Sequence, residues 1–569
     1  MKTNYKEIEK IVLIIIFIFA IFIRFLNLGT LPLSDLEAKI AVQSSQLLSG
    51  SDSYVNSDTL LTNLIAGLMY IFGNSEWVVR FFSALAGALF IFTPLLFRSY
   101  FNKSTLLLIS LWIAIDPGIL ALSRQINSSL LVVFFGILFF FSYIKQKPIW
   151  MGIFGGVLLL CGVSFWFGFV PILCILIYFR ITKWGRKDLE FENKLFNDRN
   201  QIRKFFYSLV VSIIIFGTFS LFFPKQLSGM AQGFVDYLQG WKLNSGVSSW
   251  EVIRAMLVYD FPIFIFGILG LIISKRILTK KERLIGVWLV LNFVHLLVYP
   301  SRQIDDSIWI IFSLILYGSL FMNHFGKLEE SESKLVLLIS GIGFIVLGFL
   351  TLISINLLTN STVTSQSPIS KTILIVAGIV LVLFAIFLIG WSLSWRIAGK
   401  SILYIVILYF GIYTLSAGWN AAGLRLPYEN EMWYLGSKPV NEDLVVATLE
   451  DYSDWNFGHK YVASIQVAGL NNPALKWALR NFENVEYIDN FSKSSRPDMI
   501  ITKSDQTVEL EESYKGQDFE WSAKPNWDLL ISSEWTNWIL SRRIPASMKE
   551  KDPIILWIRN DLFPGYISN

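Results

Sequence analysis

Residues 11–28 read IVLIIIFIFAIFIRFLNL, an apolar run broken by a single arginine. A helix of this length can cross the hydrocarbon core of a bilayer, which takes roughly 17 to 25 residues. Lys2, Lys6 and Lys10 precede the run, as in a signal peptide, but it is too long for a signal-peptide core and no A-x-A-like cleavage site follows. The stretch therefore predicts a retained first transmembrane helix.

Similar runs recur along the chain. The 54% hydrophobic and 16% charged residues and a mean hydropathy of +0.54 exclude a soluble single domain, in which about 25% of residues are charged. The run at 151–179 is too long for one span, and Gly162, Gly168 and Pro171 offer places to turn back. We predict about thirteen transmembrane helices, near 11–28, 78–97, 104–121, 129–144, 149–163, 165–180, 205–223, 261–274, 284–299, 307–323, 335–358, 372–395 and 401–418.

The basic residues support this topology. With a cytoplasmic N-terminus, about 24 Lys and Arg fall in loops assigned inside and about 9 outside, as the positive-inside rule expects. They form short clusters between apolar runs, so the net charge of +5 does not indicate nucleic-acid binding. We expect a multi-pass protein of a bacterial plasma membrane. An odd number of spans places the C-terminal part outside the cytoplasm.

The chain divides at the end of the last apolar run. Residues 1–418 form the transmembrane domain, whose two long outer loops, 29–77 and 224–260, are where chemistry could take place. Residues 419–569 are expected to form a small extracytoplasmic α/β domain. Strands are expected at 444–449, 463–467, 499–502 and 554–558, with a helix at 473–482 that has proline in its first turn.

Two carboxylates follow the first span directly. Asp35 and Glu37 open a predicted interfacial helix that Ser34 or Asp35 can cap. A capping Asp beside a solvated Glu is the commoner meaning of such a pattern. The alternative is a general base that takes the proton from an acceptor hydroxyl as it attacks a sugar C1.

Two longer stretches carry a resemblance to a known family. Residues 24–50 read RFLNLGTLPLSDLEAKIAVQSSQLLSG and residues 70–87 read YIFGNSEWVVRFFSALAG. LSRQIN at 122–127 and YPSRQ at 299–303 follow in the same order. Over about the first 320 residues the chain resembles the GT-C glycosyltransferases, the superfamily of protein O-mannosyltransferases and lipid A aminoarabinose transferases.

This resemblance implies transfer of a sugar, outside the cytoplasm and with inversion at C1, from a polyprenyl-phosphate-linked donor to a protein, lipid or glycan acceptor. The family pattern has adjacent Asp and Glu in loop one, whereas here Leu36 separates Asp35 from Glu37. Glu37-Ala38 matches the Glu-Ala of the pattern. Asp35 and Glu37 are jointly the catalytic candidates, and either one could be the base.

Three arginines are candidates for binding the donor phosphate. Arg80, Arg124 and Arg302 come from separate segments, all at the outer edge of the predicted membrane region. The leaving polyprenyl phosphate gains negative charge as the sugar departs, so cations aimed at it would lower the barrier. Ordinary snorkelling of each side chain to the interface is the alternative.

Other site chemistries are poorly represented. His295, His324 and His459 are scattered and predict no histidine metal site, so a divalent metal could be held only by the loop-one carboxylates.

Two functional classes compete with the enzyme. A transporter or flippase of lipid-linked or small solutes would show internal repeats and broken spans, and a non-catalytic membrane scaffold would make Asp35 and Glu37 dispensable.

Overall fold

The computed structural model of the 569-residue chain describes residues 2–50, 56–182, 198–277, 284–359, 368–425, 431–489, 495–506 and 512–563. Within these ranges the first part of the chain is a helical bundle. Its helices are α1 (Lys2–Phe25), α2 (Asp35–Leu48), α3 (Thr59–Phe72), α4 (Glu76–Phe90), α5 (Lys103–Ile115), α6 (Pro117–Ser123), α7 (Ser128–Ile144), α8 (Pro148–Leu159), α9 (Gly162–Thr182), α10 (Arg199–Gly217), α11 (Ser228–Gln239), α12 (Ser249–Tyr259), α13 (Phe261–Ile277), α14 (Leu284–Val298), α15 (Ile308–Phe325), α16 (Glu330–Thr359), α17 (Pro368–Ser392) and α18 (Trp395–Ala421).

Several of these helices can cross a membrane. In the described residues, 4 helical segments are long and apolar enough, and 7 if each of three bent pairs is one span. The straight ones are Glu76–Phe97, Ile304–Phe325, Glu332–Ile353 and Trp395–Ala421. The predicted count of about thirteen is thus not confirmed, because many apolar helices here are short or broken. The prediction of a multi-pass architecture is confirmed, since several helices are long and apolar enough to cross a membrane.

The breaks have local causes. Between α8 and α9 the chain bends by 119°, at the place where the long apolar run was predicted to turn back. Gly162 begins α9 with a φ of +62°, a conformation that residues with a Cβ rarely adopt. A bend of 56° separates α5 from α6, whose first residue is Pro117. Proline at the first helical position starts a helix easily but cannot continue the one before it.

A five-stranded sheet follows the bundle. Its strands are β1 (Ser464–Ala468), β2 (Asn484–Ile488), β3 (Met499–Lys503), β4 (Tyr514–Pro525) and β5 (Lys549–Arg559), in the order β2-β1-β3-β5-β4. β1 pairs in parallel with β2 and β3, whereas β5 is antiparallel to β3 and β4. The accompanying helices are α19 (Glu442–Phe457), α20 (Pro473–Ala478) and α21 (Ser532–Ser541).

The sequence predictions for this part were right for three strands and for the helix at Pro473, but wrong for 444–449. That segment lies within α19. Its buried residues, Val445, Leu449 and Ser453, recur every four positions, which is the spacing of one helical face. The short window that suggested a strand did not include the third of them.

The sheet domain packs on one end of the bundle through buried polar contacts. Arg542 lies within 3.3 Å of Glu431 and stacks over Trp538 and Tyr259, 4.5 and 4.9 Å from their ring centroids. The Tyr259 hydroxyl donates to the same Glu431 carboxylate. At another point Arg480 and the Trp477 indole donate to Glu76 at the start of α4, at 2.8 and 3.0 Å. The two parts are therefore held together at two separate points.

Candidate active site between the bundle and the sheet domain

Loop one places the two candidate catalytic carboxylates, Asp35 and Glu37, on different faces of α2. Ser34 is the N-cap, and its hydroxyl accepts from the Glu37 N–H while the Glu37 carboxylate accepts from the Ser34 N–H. This reciprocal capping box is the arrangement that a Ser followed three residues later by Glu favours. It turns Glu37 into the bundle, where it is 1% exposed, and leaves Asp35 half-buried at the sheet domain.

Glu37 forms a fully buried ion pair with Arg80 of α4. The Arg80 Nε and Nη2 donate to the two carboxylate oxygens at 2.8 and 2.9 Å. The Ile126 N–H donates to the same carboxylate at 3.1 Å. Despite burial, which acts the other way, Arg80, Lys438 and the Ser34 N–H lower the pKa of Glu37 to about 2. The carboxylate is therefore ionised and surrounded by protein donors.

The remaining Arg80 N–H groups also have protein partners. They donate to the carbonyl oxygens of Leu28, Leu31 and Pro32, at 2.8 to 3.2 Å. A guanidinium has five N–H donors, so those of Arg80 are all used. This side chain ties loop one to α4.

Arg124 is held in a similar way. Its guanidinium donates to five carbonyl oxygens at 2.7 to 3.2 Å, and four of these belong to the end of α1 and the turn after it. The last carbonyls of a helix lack partners within the helix, and a cation there also complements the helix dipole. Arg124, in the LSRQIN segment, thus caps the C-terminal end of α1.

Arg302 caps a second helix. Its guanidinium donates to the carbonyl oxygens of Leu296 and Leu297 in the last turn of α14, and to that of Val247, at 3.0 to 3.2 Å. All three predicted phosphate-binding arginines therefore bind backbone in this structure. Arg80 and Arg124 line one cavity together, and Arg302 lies behind Gln303 and Val247, which line another.

Asp35 is the loop-one carboxylate with spare acceptor capacity. It accepts the Ala474 N–H at 3.4 Å, and its own N–H donates to Ser437 at 3.0 Å. Partial burial raises the pKa of Asp35 above its ordinary value. A carboxylate with a raised pKa, at the junction of the two domains, is suited to accept a proton.

Lys438 is a candidate that sequence reasoning missed. It lines the same small cavity as Arg80 and Arg124, and its Nζ lies 3.5 Å from the centroid of the Tyr434 ring. Burial and the two arginines lower the pKa of Lys438 to about 7, although Glu37 opposes this. Gly436, with a φ of +78°, packs against Leu36 and turns the chain towards this place. The one signal for Lys438 in the sequence was its position. It is a lysine that follows the last predicted span, on the side predicted to be extracytoplasmic, where the positive-inside rule expects few cations.

Two cavities meet at Tyr434 and Lys438. The smaller is lined by Leu28, Leu31, Arg80, Ala121, Arg124, Gln125, Ala421, Ala422, Tyr434 and Lys438. The larger is open to solvent and lies between the bundle and the sheet domain, with Glu251, Gln303, Ser437, Lys524 and Trp527 in its wall. The side chains of Tyr434 and Lys438 therefore border both cavities.

Gln125 fixes the segment that forms this wall. Its amide Nε2 donates to the Trp433 carbonyl at 2.8 Å and its Oε1 accepts the Leu435 N–H at 3.0 Å. In Gln125→Ala both backbone groups lose a buried partner, at a cost of about 1–3 kcal/mol each. We expect the unfolding temperature of the purified protein to fall clearly. Exposed Gln239→Ala is the control, and equal unfolding temperatures for both variants would contradict this role of Gln125.

Metal binding has little support in these residues. Among the parts of the chain that the structure describes, no group of three or more His, Cys, Asp or Glu side chains is arranged to hold a metal ion. Glu37 is already saturated by protein donors. A metal through the loop-one carboxylates thus stays an untested prediction.

Comparison with known proteins agrees with this architecture. The family model for dolichyl-phosphate-mannose-protein mannosyltransferase matches residues 60–192. The structure of ArnT from Cupriavidus metallidurans bound to undecaprenyl phosphate superposes with a TM-score of 0.53 and 13% identity, covering 100% of each chain. The Archaeoglobus fulgidus oligosaccharyltransferase in complex with zinc and sulfate gives 0.45 and 13%, over 86% of this chain and 68% of that one. No curated protein matches the sequence.

These findings agree with the predicted resemblance, and the family match begins at residue 60, after the stretch at 24–50. The matched segment includes α4, α5, α6 and the LSRQIN segment, and the ArnT likeness extends over the sheet domain as well. At 13% identity the structural likeness concerns the fold, and the chain has the fold of the ArnT structure.

Proposed function

We propose that this chain is a GT-C glycosyltransferase that moves a sugar from a polyprenyl-phosphate-linked donor to an acceptor, with inversion at C1. The reaction takes place on the extracytoplasmic face of a plasma membrane, with the N-terminus in the cytoplasm. This orientation follows from the distribution of basic residues in the loops. The ArnT structure is bound to undecaprenyl phosphate, which is the class of lipid monophosphate that a polyprenyl-phosphate-linked sugar donor releases.

One observation carries the proposal: an excess of positive charge around a cavity at the domain junction. Arg80, Arg124 and Lys438 line the cavity, and Glu37 is the carboxylate paired with one of them. Buried charges are costly unless they are paired, so this cavity is best completed by an anion. A phosphate at the head of a lipid supplies that anion and places the sugar beside it.

The step we propose is a single displacement. The acceptor oxygen forms a bond to C1 as the bond from C1 to the phosphate oxygen breaks. The phosphate leaves with the electron pair as a polyprenyl monophosphate, and the acceptor proton passes to a carboxylate. Asp35 is the preferred base because it has free acceptor capacity, whereas Glu37 is the second candidate and the partner that orients Arg80.

In this proposal the arginines assist the donor phosphate chiefly through charge. Arg80 and Arg124 are held rigidly by carbonyl oxygens, so their positive charge needs no reorganisation as the leaving group develops. Arg302 supports the wall formed by Val247 and Gln303.

The acceptor has a natural place in the larger cavity. Glu251 of α12 and Lys524 of β4 lie in its wall, one from each domain, and the cavity opens to solvent. An acceptor bound there would approach the shared wall at Lys438. The sheet domain is then part of the acceptor site.

Glu251→Gln tests this placement. A hydrogen bond to a charged group is worth about 1.5–3 kcal/mol, so its loss should raise the KM for the acceptor about 10- to 100-fold. The KM for the donor should stay unchanged, because Glu251 lies outside the donor cavity. Glu486→Gln, on the exposed edge strand β2, is the matched control. An unchanged acceptor KM in Glu251→Gln would place the acceptor elsewhere.

The proposed function is tested by incubating the purified protein in lipid with labelled polyprenyl-phosphate sugars from a crude membrane extract. Transfer of label to a protein, lipid or glycan, together with release of polyprenyl phosphate, is the expected result. Failure to transfer from any donor pool would refute it. Movement of intact lipid-linked sugar between leaflets would then favour the flippase alternative.

A further inference from the structure

We propose that Lys438 is the side chain that donates hydrogen bonds to the donor phosphate, and that Arg80 and Arg124 act on it through charge alone. This inference rests on the proposed function and assigns the phosphate contact within it. It differs from the sequence prediction, in which the arginines form a clamp.

The first reason is the use of hydrogen-bond donors. Arg80 spends its N–H groups on Glu37 and on the carbonyls of Leu28, Leu31 and Pro32, and Arg124 spends its own on five carbonyls. Redirecting either guanidinium to a phosphate would leave several buried carbonyl oxygens without partners. Each such loss costs about 1–3 kcal/mol. A direct contact from the arginines is therefore expensive.

The second reason is the state of Lys438. Its ammonium lies over the Tyr434 ring and has no hydrogen bond or ion pair with any other residue in the described part of the chain. An ammonium has three donors, and an aromatic face satisfies them only weakly. A cation held this way, partly enclosed and beside two other cations, is incomplete without an anion.

The third reason is location. Lys438 lies in the wall shared by the small cationic cavity and the larger cavity. A phosphate in the first cavity with its sugar directed into the second would place the breaking bond at this wall. As that bond breaks, the phosphate oxygen takes the electron pair and the group becomes a monoester with a second charge. A Lys438 N–H aimed at this oxygen binds the leaving group more strongly than the intact donor, which accelerates the reaction.

The test measures binding of two probes, farnesyl phosphate and inorganic phosphate, to the full chain in lipid nanodiscs. Lys438→Met should weaken farnesyl phosphate binding at least tenfold, and Lys438→Arg should retain most of it. Lys476→Met is the control, since Lys476 also lies over a tyrosine ring, that of Tyr487 in the sheet domain. Much tighter binding of farnesyl phosphate identifies a lipid headgroup as the ligand. Equal binding of both probes would assign the site to free phosphate and overturn the donor contact.

A pH series separates a phosphate contact from a purely structural role. Burial lowers the pKa of Lys438 to about 7, so the ammonium loses its charge as the pH rises through this range. Binding should weaken above pH 7 in the wild type and much less in Lys438→Arg, whose guanidinium stays charged. The second ionisation of the phosphate, near pH 6, affects both proteins equally. Parallel profiles would overturn the inference, even if Lys438→Met proved too unstable to measure.

Failure of this inference and failure of the proposed function give different results. If wild type transfers sugar and Lys438→Met binds farnesyl phosphate normally, the contact is wrong and the glycosyltransferase stands. If wild type binds farnesyl phosphate through Lys438 but transfers no sugar, the anion site is right and the glycosyltransferase is wrong.

Discussion

Asp35→Asn is expected to lower the turnover number for sugar transfer about 10²- to 10⁴-fold, the usual contribution of a general base. Asparagine keeps the size of the side chain and an oxygen that can accept the Ala474 N–H, so the domain contact survives. It cannot take the acceptor proton. The measurement is turnover at saturating donor, with the unfolding temperature taken on the same samples.

The pH dependence gives a second check on Asp35. Partial burial raises its pKa above the ordinary value of 3.8, so the base is protonated and inactive over a wider acidic range. The rate should therefore fall with decreasing pH at a point above 3.8, and this limb should vanish from the residual activity of Asp35→Asn. Asp518→Asn, an exposed substitution on β4, should behave as wild type. Wild-type turnover in Asp35→Asn would exclude it as the base and direct attention to Glu37 and Glu251.

Arg80→Met is expected to lower the free energy of unfolding by about 3–5 kcal/mol, the usual effect of removing one partner of a buried ion pair. Glu37, 1% exposed, would keep its negative charge in the bundle with only the Ser34 and Ile126 N–H groups as partners. The bonds that tie the carbonyls of Leu28, Leu31 and Pro32 to α4 would also be lost. Unfolding of the purified protein in a denaturing detergent series measures the change.

A double-mutant cycle separates the pairing from the other bonds. Arg80→Met with Glu37→Met removes both charges, so the double variant should be less destabilised than the sum of the two singles. Additive losses would show that the ion pair itself contributes little.

Glu37→Gln addresses catalysis. Loss of turnover with unchanged stability would make Glu37 the base, whereas loss of both turnover and stability is expected from its contacts.

The same ion pair predicts how stability depends on pH. The pKa of Glu37 is about 2 in the folded protein against an ordinary value of 4.5. A lowered folded-state pKa stabilises the protein fully above 4.5, and this contribution is lost as the pH falls towards 2. Glu37→Gln should therefore show a smaller loss of stability over that interval than the wild type does.

Local sequence determined much of the architecture. The apolar runs predicted a multi-pass bundle because a helix must be about 20 residues long to cross a bilayer. Ser34 was one of two residues predicted to cap α2, Pro117 and Pro473 begin helices, and Gly162 marks the reversal between α8 and α9, because capping, proline and glycine act within a few residues. The resemblance of loop one and α4 to GT-C enzymes was also local, and the family match at residues 60–192 includes α4.

Only the tertiary structure decided where the charged side chains act. Three arginines at the edge of a bundle have similar sequence contexts whether they bind a phosphate or a helix end, and the carbonyls that Arg124 holds belong to another helix. Lys438 reaches the cavity of Arg80 and Arg124 because Gly436 turns the chain and Gln125 fixes the neighbouring backbone. Hydrogen bonds between distant segments depend on packing, and no periodicity along the chain records them. The sequence thus determined which residues carry charge, and the tertiary structure decided which of them has hydrogen-bond donors that other protein groups do not already bind.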